Sequence, residues 1–220
     1  MRELFVVEGA PSLEHLSASA RAAGVPVMEV TEPVLKSLAD TTTPQGVVAV
    51  VEIRAIDLHE LAAGASLLLV LAGVRDPGNA GTLLRSAFAA GADGVVFAAG
   101  AVDPLHPKTV RASAGAVFRV AVAREKGLGD VLGVLRGAGL TVVGAHASAP
   151  ERFDRTDFTR RTVLVVGNEA WGLPPEAKDL LDEVVGIPMP GPAESLNVGI
   201  AGSILLFECV RQRRLSSSPS

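Results

Sequence analysis

Three short segments, each following an apolar run, carry side chains that could act together on a polar substrate. The first is VRDPGNAGTLLRSAFAAGA, residues 74–92. Pro77 and Gly78 break the chain there, Asn79 can cap a helix, and Gly81 permits close backbone approach. Arg85 lies one helical turn past Gly81 and shares its face, so it makes a surface ion pair or reaches toward the strand ends. The second is VLVVGNEAWGLPPE, residues 163–176. The bare backbone at Gly167 would let a planar ligand lie close, Glu169 can accept hydrogen bonds or hold an arginine, and Gly172 relieves the turn. Trp171, the only tryptophan, either covers a ligand or packs its loop onto the body, and packing is favoured. The third is IPMPGPAESLNVG, residues 187–199, with Ile187 and Met189 on a Pro-stiffened loop and Ser195 and Asn197 at a helix start. Loops whose polar groups only satisfy each other would share these features. A strand-end crevice with apolar walls and free backbone groups nonetheless suits an adenosine-like ligand. An Arg, Asn, Ser and Glu close by suit a polar reaction partner.

These segments need elements to position them. Residues 3–9, 25–30 and 46–53 read as strands and 13–24 and 32–40 as helices, a small α/β unit. Residues 57–64 read as a linker helix. Beyond it, ASLLLVLAGV (65–74), 94–98, 117–123, 140–146, 161–169 and 183–189 read as strands. Helices are expected at 79–90, 105–116, 127–139, 174–182 and 196–212. Strand–helix alternation with fully apolar strands predicts a parallel-sheet, three-layer α/β domain over 65–214. In helix 196–212, Leu196, Ile200, Ile204 and Phe207 form a stripe, with Leu205, Leu206 and Val210 beside it. A helix apolar over so much of its circumference predicts burial on several sides and a partner subunit. Residues 215–220 read as a disordered tail.

The 220 residues are 48% hydrophobic and 20% charged, which excludes a disordered chain. A formal charge of −4 gives no support to a generally basic surface, although Arg152, Arg155, Arg160 and Arg161 cluster, as do Arg211, Arg213 and Arg214. Cys209 is alone and expected in the core. The four histidines are scattered, so no metal site is expected. No signal peptide or membrane span is apparent, and a cytoplasmic location is expected. RDPGNAG after the first long strand does not match GxGxxG, no GxxxxGK[ST] occurs, and no GxSxG is present.

Taken together, the three segments resemble those of the SpoU (TrmH-type) branch of the SPOUT RNA methyltransferases. The first motif is similar to Asn79-x-Gly81-x-x-x-Arg85 with Ala90-Gly91, the second to LVVGNEAWGL, the third to IPMPGPAESLNVGIAGSILLFE. HPKTVRASAGAVFRV (106–120) also resembles the family. Residues 1–53, including TPQGVVAVVE, resemble the later part of a ribosomal-protein L30e-like RNA-binding domain. The resemblance implies a partial L30e-like substrate-binding domain over 1–55, a linker at 56–64, and a SPOUT catalytic domain over 65–214 with a C-terminal deep trefoil knot. Chain-connection rules alone would not propose a knot.

It implies further that the chain uses S-adenosyl-methionine to methylate a ribose 2′-hydroxyl in RNA, with 23S rRNA ahead of tRNA as target. Arg85, Asn79, Glu169, Ser195 and Asn197 would be catalytic. Gly144, Gly167, Asn168, Ile187, Met189 and Leu196 would hold the cofactor, and Arg111, Arg152, Arg155, Arg160 and Arg161 would meet RNA. A homodimer through the knot region and helix 196–212 is implied, with no metal and no membrane. The contrasting possibility is a non-catalytic RNA-binding or ribosome-assembly module on the same scaffold, which has no reason to keep a cofactor pocket.

Overall fold

The computed structural model describes residues 1–39, 41, 43–53, 56–125 and 127–217. The chain divides into two compact units, Met1–Arg54 and Ala55–Ser220. In the first, β1 (Glu3–Val7), α1 (Glu14–Ala22), β2 (Val27–Val30), α2 (Glu32–Leu38) and β3 (Val47–Val50) follow in order. The strands lie β2-β1-β3, with β1 parallel to β2 and antiparallel to β3. Alternation along β1 sends Leu4 and Val6 to one face, where they pack with Ala20, Leu13, Val25, Val27 and Val47.

The second unit runs α3 (Leu58–Gly64), β4 (Leu67–Leu71), α4 (Pro77–Ala89), β5 (Gly94–Phe97), α5 (Pro107–Ala112), β6 (Ala121–Arg124), α6 (Leu128–Gly137), β7 (Thr141–Ala145), β8 (Glu151–Arg152), β9 (Thr162–Val166), β10 (Glu183–Gly186) and α7 (Val198–Ser217). The seven strands lie β6-β5-β4-β9-β7-β10-β8, and every pair is parallel. All residues of β4, β5 and β9 are buried, as expected for strands covered on both faces. Alternate side chains feed two cores. Leu69, Leu71 and Leu164 join Leu83, Leu84, Leu205 and Leu206 on one side, and Leu68, Val70 and Val163 join Leu61, Leu132 and Leu135 on the other. Burying each such side chain contributes about 1.5–3 kcal/mol.

Several sequence expectations give way here. Residues 57–64 are not a free linker: Asp57 caps α3 through the His59 and Glu60 amides, and Leu58, Leu61 and Ala62 are buried in the second unit's core. Residues 116–118 form a 3-10 turn instead of strand, because Ala114 (φ 49°) and Gly115 (φ 84°) turn the chain through left-handed backbone. Residues 175–180 form a 3-10 helix rather than an α-helix. β10 stops at Gly186, and Pro188 has no N–H to extend a ladder. The short β8, within the arginine-rich connection, has no apolar pattern to announce it. The final helix begins at Val198 and continues to Ser217, so residues 215–217 are helical and not a tail; residues 218–220 lie outside the described residues.

Helix α7 also turns a different face inward than its stripe suggests. Leu205, Leu206 and Cys209 are buried, whereas Ile200 and Phe207 are 50% and 48% exposed. Close packing on α4 sets this rotation: a β-carbon at Gly202 would overlap Leu83, and the Ser86 and Ser203 hydroxyls bond at 2.7 Å. Burial pushes the Cys209 thiol up to about 12. β10 lies outside β7, yet α7 packs back on β9 and α4 near the sheet centre. The chain therefore doubles back across the carboxyl ends of the strands.

Candidate active site

The doubling-back creates a cavity of about 330 Å³ at the carboxyl ends of β7, β9 and β10. Its walls include Ala145, His146, Val166, Gly167, Asn168, Val185, Ile187, Met189, Ser195, Leu196 and Leu205. The size suits a small-molecule site, and the lining is largely apolar with a few polar groups.

The segment 168–172 forms one wall and is pinned at several points. Asn168 N donates to Gly172 O at 2.8 Å and Gly172 N to Asn168 O at 2.9 Å. The Asn168 side chain donates to Gly73 O and accepts from Ala170 N, both at 2.8 Å, tying this loop to the one after β4. Gly167 is obligatory for a reason other than the one expected from sequence. A β-carbon there would overlap the carbonyl of Gly172 and lie 2.5 Å from Leu173 N, so the chain's own loop occupies the space read as room for a ligand. Gly172 takes φ 70°, in the left-handed region.

A hydrogen-bond chain crosses the rim and joins all three segments. Asn197 Nδ2 donates to Asn79 Oδ1 at 2.9 Å, and Asn79 Nδ2 donates to Glu169 Oε1 at 3.0 Å. Asp76 N and Arg75 N also donate to the Glu169 carboxylate, at 3.2 and 3.4 Å. Desolvation works against the Glu169 charge, but the Asn79 bond and the backbone donors together outweigh it and hold its pKa below the ordinary value. Glu169 is therefore an anchored acceptor at neutral pH. The helix caps differ from expectation as well. Asp76, not Asn79, caps α4 by accepting from Asn79 N at 2.8 Å, which frees the Asn79 amide for Glu169. Asn197 Oδ1 accepts from Ile200 N at 3.2 Å and so caps α7 while its amide reaches Asn79.

Of the residues singled out in the sequence, Asn79, Glu169 and Asn197 meet in this chain and Ser195 lines the cavity beside it. Arg85 does not join them. It is exposed on α4, roughly 9 Å along the axis from Asn79, with no hydrogen bond or ion pair among the described residues. Gly167, Asn168, Ile187, Met189 and Leu196 line the cavity. Gly144 does not: it faces away, where a β-carbon would lie 2.7 Å from both Leu173 and Leu181. Trp171 does not pack its loop down; it is 61% exposed at the cavity mouth. His146 was missed, although strand-end position alone would flag it.

The arginines divide differently than their clustering implies. Arg161 is a structural clamp: its guanidinium donates to the carbonyls of Ala65, Ala138, Ala62 and Ala63 at 2.8, 2.7, 2.9 and 3.3 Å. Arg160 pairs with Glu183 at 2.5 Å, and Arg152 forks onto Asp154 at 2.9 and 2.7 Å. Arg160 and Arg161 precede β9 and stand at the amino ends of the strands, opposite the cavity. Arg155 sits beside Asp154. Arg111 is exposed on α5, which packs against α4 so closely that a β-carbon at Gly81 would overlap Ala112.

A parallel sheet whose C-terminal segment doubles back over its strand ends, around an apolar cavity rimmed by fixed amides, defines an α/β protein with a strand-end site for a small molecule. Residues 66–207 match the model of the SpoU rRNA methylase family, and residues 1–55 match that of the RNA 2′-O ribose methyltransferase substrate-binding domain. The chain belongs to the SpoU rRNA methylase family, and its fold is the SPOUT fold with a C-terminal trefoil knot. It is 36% identical over 222 residues to the 23S rRNA (guanosine-2′-O-)-methyltransferase RlmB of Xanthomonas axonopodis pv. citri, covering 97% of this chain and 89% of that one. An AdoMet-bound rRNA methyltransferase from Sinorhizobium meliloti superposes with a TM-score of 0.84 at 36% identity, covering 96% of this chain and 79% of that one. The SpoU methyltransferase AviRb of Streptomyces viridochromogenes, in complex with AdoMet, gives 0.84 at 33%, covering 98% and 84%.

Proposed function

We propose that this chain transfers a methyl group from S-adenosyl-methionine to a ribose 2′-hydroxyl of 23S rRNA. The observation that carries the reading is the convergence of the three segments: Asn197, Asn79 and Glu169 are bonded in series along the rim of the apolar cavity. The sequence relatives named for one RNA act on 23S rRNA, and RlmB of Xanthomonas axonopodis pv. citri covers 97% of this chain, whereas the solved tRNA-modifying enzymes cover 72% and 69% of it, which supports 23S rRNA over tRNA.

The cavity fits the cofactor by its chemistry. Ile187, Met189 and Leu196 give apolar walls for a planar base, and Gly167 and Asn168 bring backbone groups and a pinned loop to its edge. When bound, S-adenosyl-methionine supplies a methyl carbon made electrophilic by the adjoining sulfonium, so the reading includes no metal. What the chain must add is alignment, which can lower the barrier by several kcal/mol. Glu169 fixes the Asn79 amide, Asn79 fixes that of Asn197, and together they set one wall of the space for the ribose. The Ser195 hydroxyl has no partner among the described residues and is available to it. The Arg85 guanidinium offers hydrogen-bond donors and no acceptor. Its role in this reading is to stabilise the developing alkoxide and orient the adjoining phosphate as RNA reaches over the rim.

The same reading includes a homodimer. Leu196, Ile200 and Phe207 leave apolar surface exposed along the start and outer face of α7, next to the site. It also places the enzyme with its RNA in the cytoplasm; no helix among the described residues is long and apolar enough to cross a membrane. Calorimetry with S-adenosyl-methionine tests the proposal. Saturable binding is expected; a folded protein that binds neither it nor its demethylated product is the non-catalytic RNA-binding module instead.

A further inference from the structure

Trp171 and Arg75 stand at the mouth of the cavity in an arrangement the methyl-transfer chemistry leaves unused. The Arg75 guanidinium carbon lies 5.1 Å from the centroid of the Trp171 ring, within cation–π range. The indole is nevertheless 61% exposed, so the pair does not serve to bury it. Both partners are held from behind by the site itself. Trp171 rides on the loop closed by the Asn168–Gly172 pair and tied to Gly73 through the Asn168 amide, while the Arg75 backbone is fixed on Glu169. The Arg75 guanidinium has no carboxylate partner among the described residues, whereas the neighbouring Asp76 is taken by the α4 cap and by Lys108 at 3.6 Å.

A rigid, exposed aromatic ring at a pocket mouth, backed by a guanidinium without a carboxylate, is a surface for a planar base attached to an anion. We infer that the Trp171–Arg75 pair is a stacking platform for an unstacked RNA base next to the target ribose, with Arg75 meeting its phosphate. The inference rests on the RNA reading above and deepens it. Charge separates this occupant from the other adenine source, the cofactor. S-adenosyl-methionine sets a sulfonium and an ammonium against a single carboxylate, so an adjacent guanidinium favours it less than a strand with a phosphate at every step. Single-stranded bases splayed onto aromatic side chains are the usual route to RNA recognition outside duplexes.

Because Trp171 is the only tryptophan, its fluorescence reports on the platform directly. Titration of the full chain with a short single-stranded oligoadenylate is expected to quench it, and an abasic ribose-phosphate polymer of equal length is not. Trp171→Ala is expected to weaken oligoadenylate binding about 5- to 150-fold, the range for loss of one base–aromatic stack. Trp171→Phe keeps most of the affinity, and S-adenosyl-methionine binding by calorimetry is unchanged in both. Arg75→Gln is expected to weaken both polymers and reduce the salt slope by about one. Wild-type affinity for oligoadenylate in Trp171→Ala overturns the platform, as does lost cofactor affinity with RNA binding intact, which would place the indole over the cofactor. A wild-type chain that binds neither RNA nor cofactor overturns the methyltransferase reading and the platform with it. A Trp171→Ala chain that methylates RNA as well as the wild type does overturns the platform alone.

Discussion

Replacing Gly167 by alanine should damage the cofactor site through the backbone, without removing any polar side chain. The added methyl would overlap the Gly172 carbonyl and sit 2.5 Å from Leu173 N, against a comfortable separation of about 3.5–4.0 Å. The 172–173 backbone must retreat by about 1 Å, and it is tied by the paired bonds between Asn168 and Gly172. Overpacking costs about 1–3 kcal/mol and each backbone bond lost about 0.5–1.5 kcal/mol, so with both bonds broken the cost is about 2–6 kcal/mol. For a domain of this size, at about 2–4 °C per kcal/mol, that is a fall in Tm of about 4–24 °C. The displaced loop carries Gly167 and Asn168, which line the cavity, so cofactor affinity should fall with it. Scanning calorimetry and isothermal titration with S-adenosyl-methionine measure both quantities on one sample. A Gly167→Ala protein with wild-type Tm and wild-type cofactor affinity would show that the loop does not depend on this contact.

Gly133→Ala is the contrasting change, since Gly133 lies inside α6 with open space around the missing β-carbon; a gain of about 0.5–1 kcal/mol is expected in denaturant unfolding. Arg161→Ala should lower stability by about 2–4 kcal/mol, because its charged donors hold four carbonyls, yet leave RNA affinity in filter binding unchanged. Arg85→Ala should abolish methyl transfer while calorimetric cofactor affinity stays at the wild-type level; near-normal turnover would remove Arg85 from the chemistry. Glu169 is held below its ordinary pKa of 4.5, so its stabilisation is complete above that value and lost as pH falls through the lower folded value. The Tm difference between wild type and Glu169→Gln should therefore shrink on acidification below about pH 4.5 and be constant above it.

The sheet and the convergence of the three segments were legible in sequence because each signal is local. LLLVL and TVLVV are apolar throughout, which marks strands covered on both faces, and polar residues directly after such runs mark the ends that bind ligands. What was not legible depends on contacts distant in the chain. The space at Gly167 is filled by Gly172 and Leu173, and Gly144 faces Leu181 rather than the cavity; a glycine's sequence does not say which neighbour it admits. The rotation of α7 is set by Gly202 against Leu83, so Ile200 and Phe207 point outward although they belong to an apolar stripe. The arginines at 160 and 161 look like an RNA patch as a run of charge. Their acceptors, Glu183 and the carbonyls ending α3 and α6, become visible only in the fold.

The most direct test of the account is to incubate the purified chain with unmodified 23S rRNA transcript and methyl-labelled S-adenosyl-methionine, then map where the label lies. Label is expected on the ribose 2′-oxygen of a defined nucleotide, and is expected to be absent when Arg85→Ala protein is used. Label on a base, or none from folded protein that binds both partners, would contradict it.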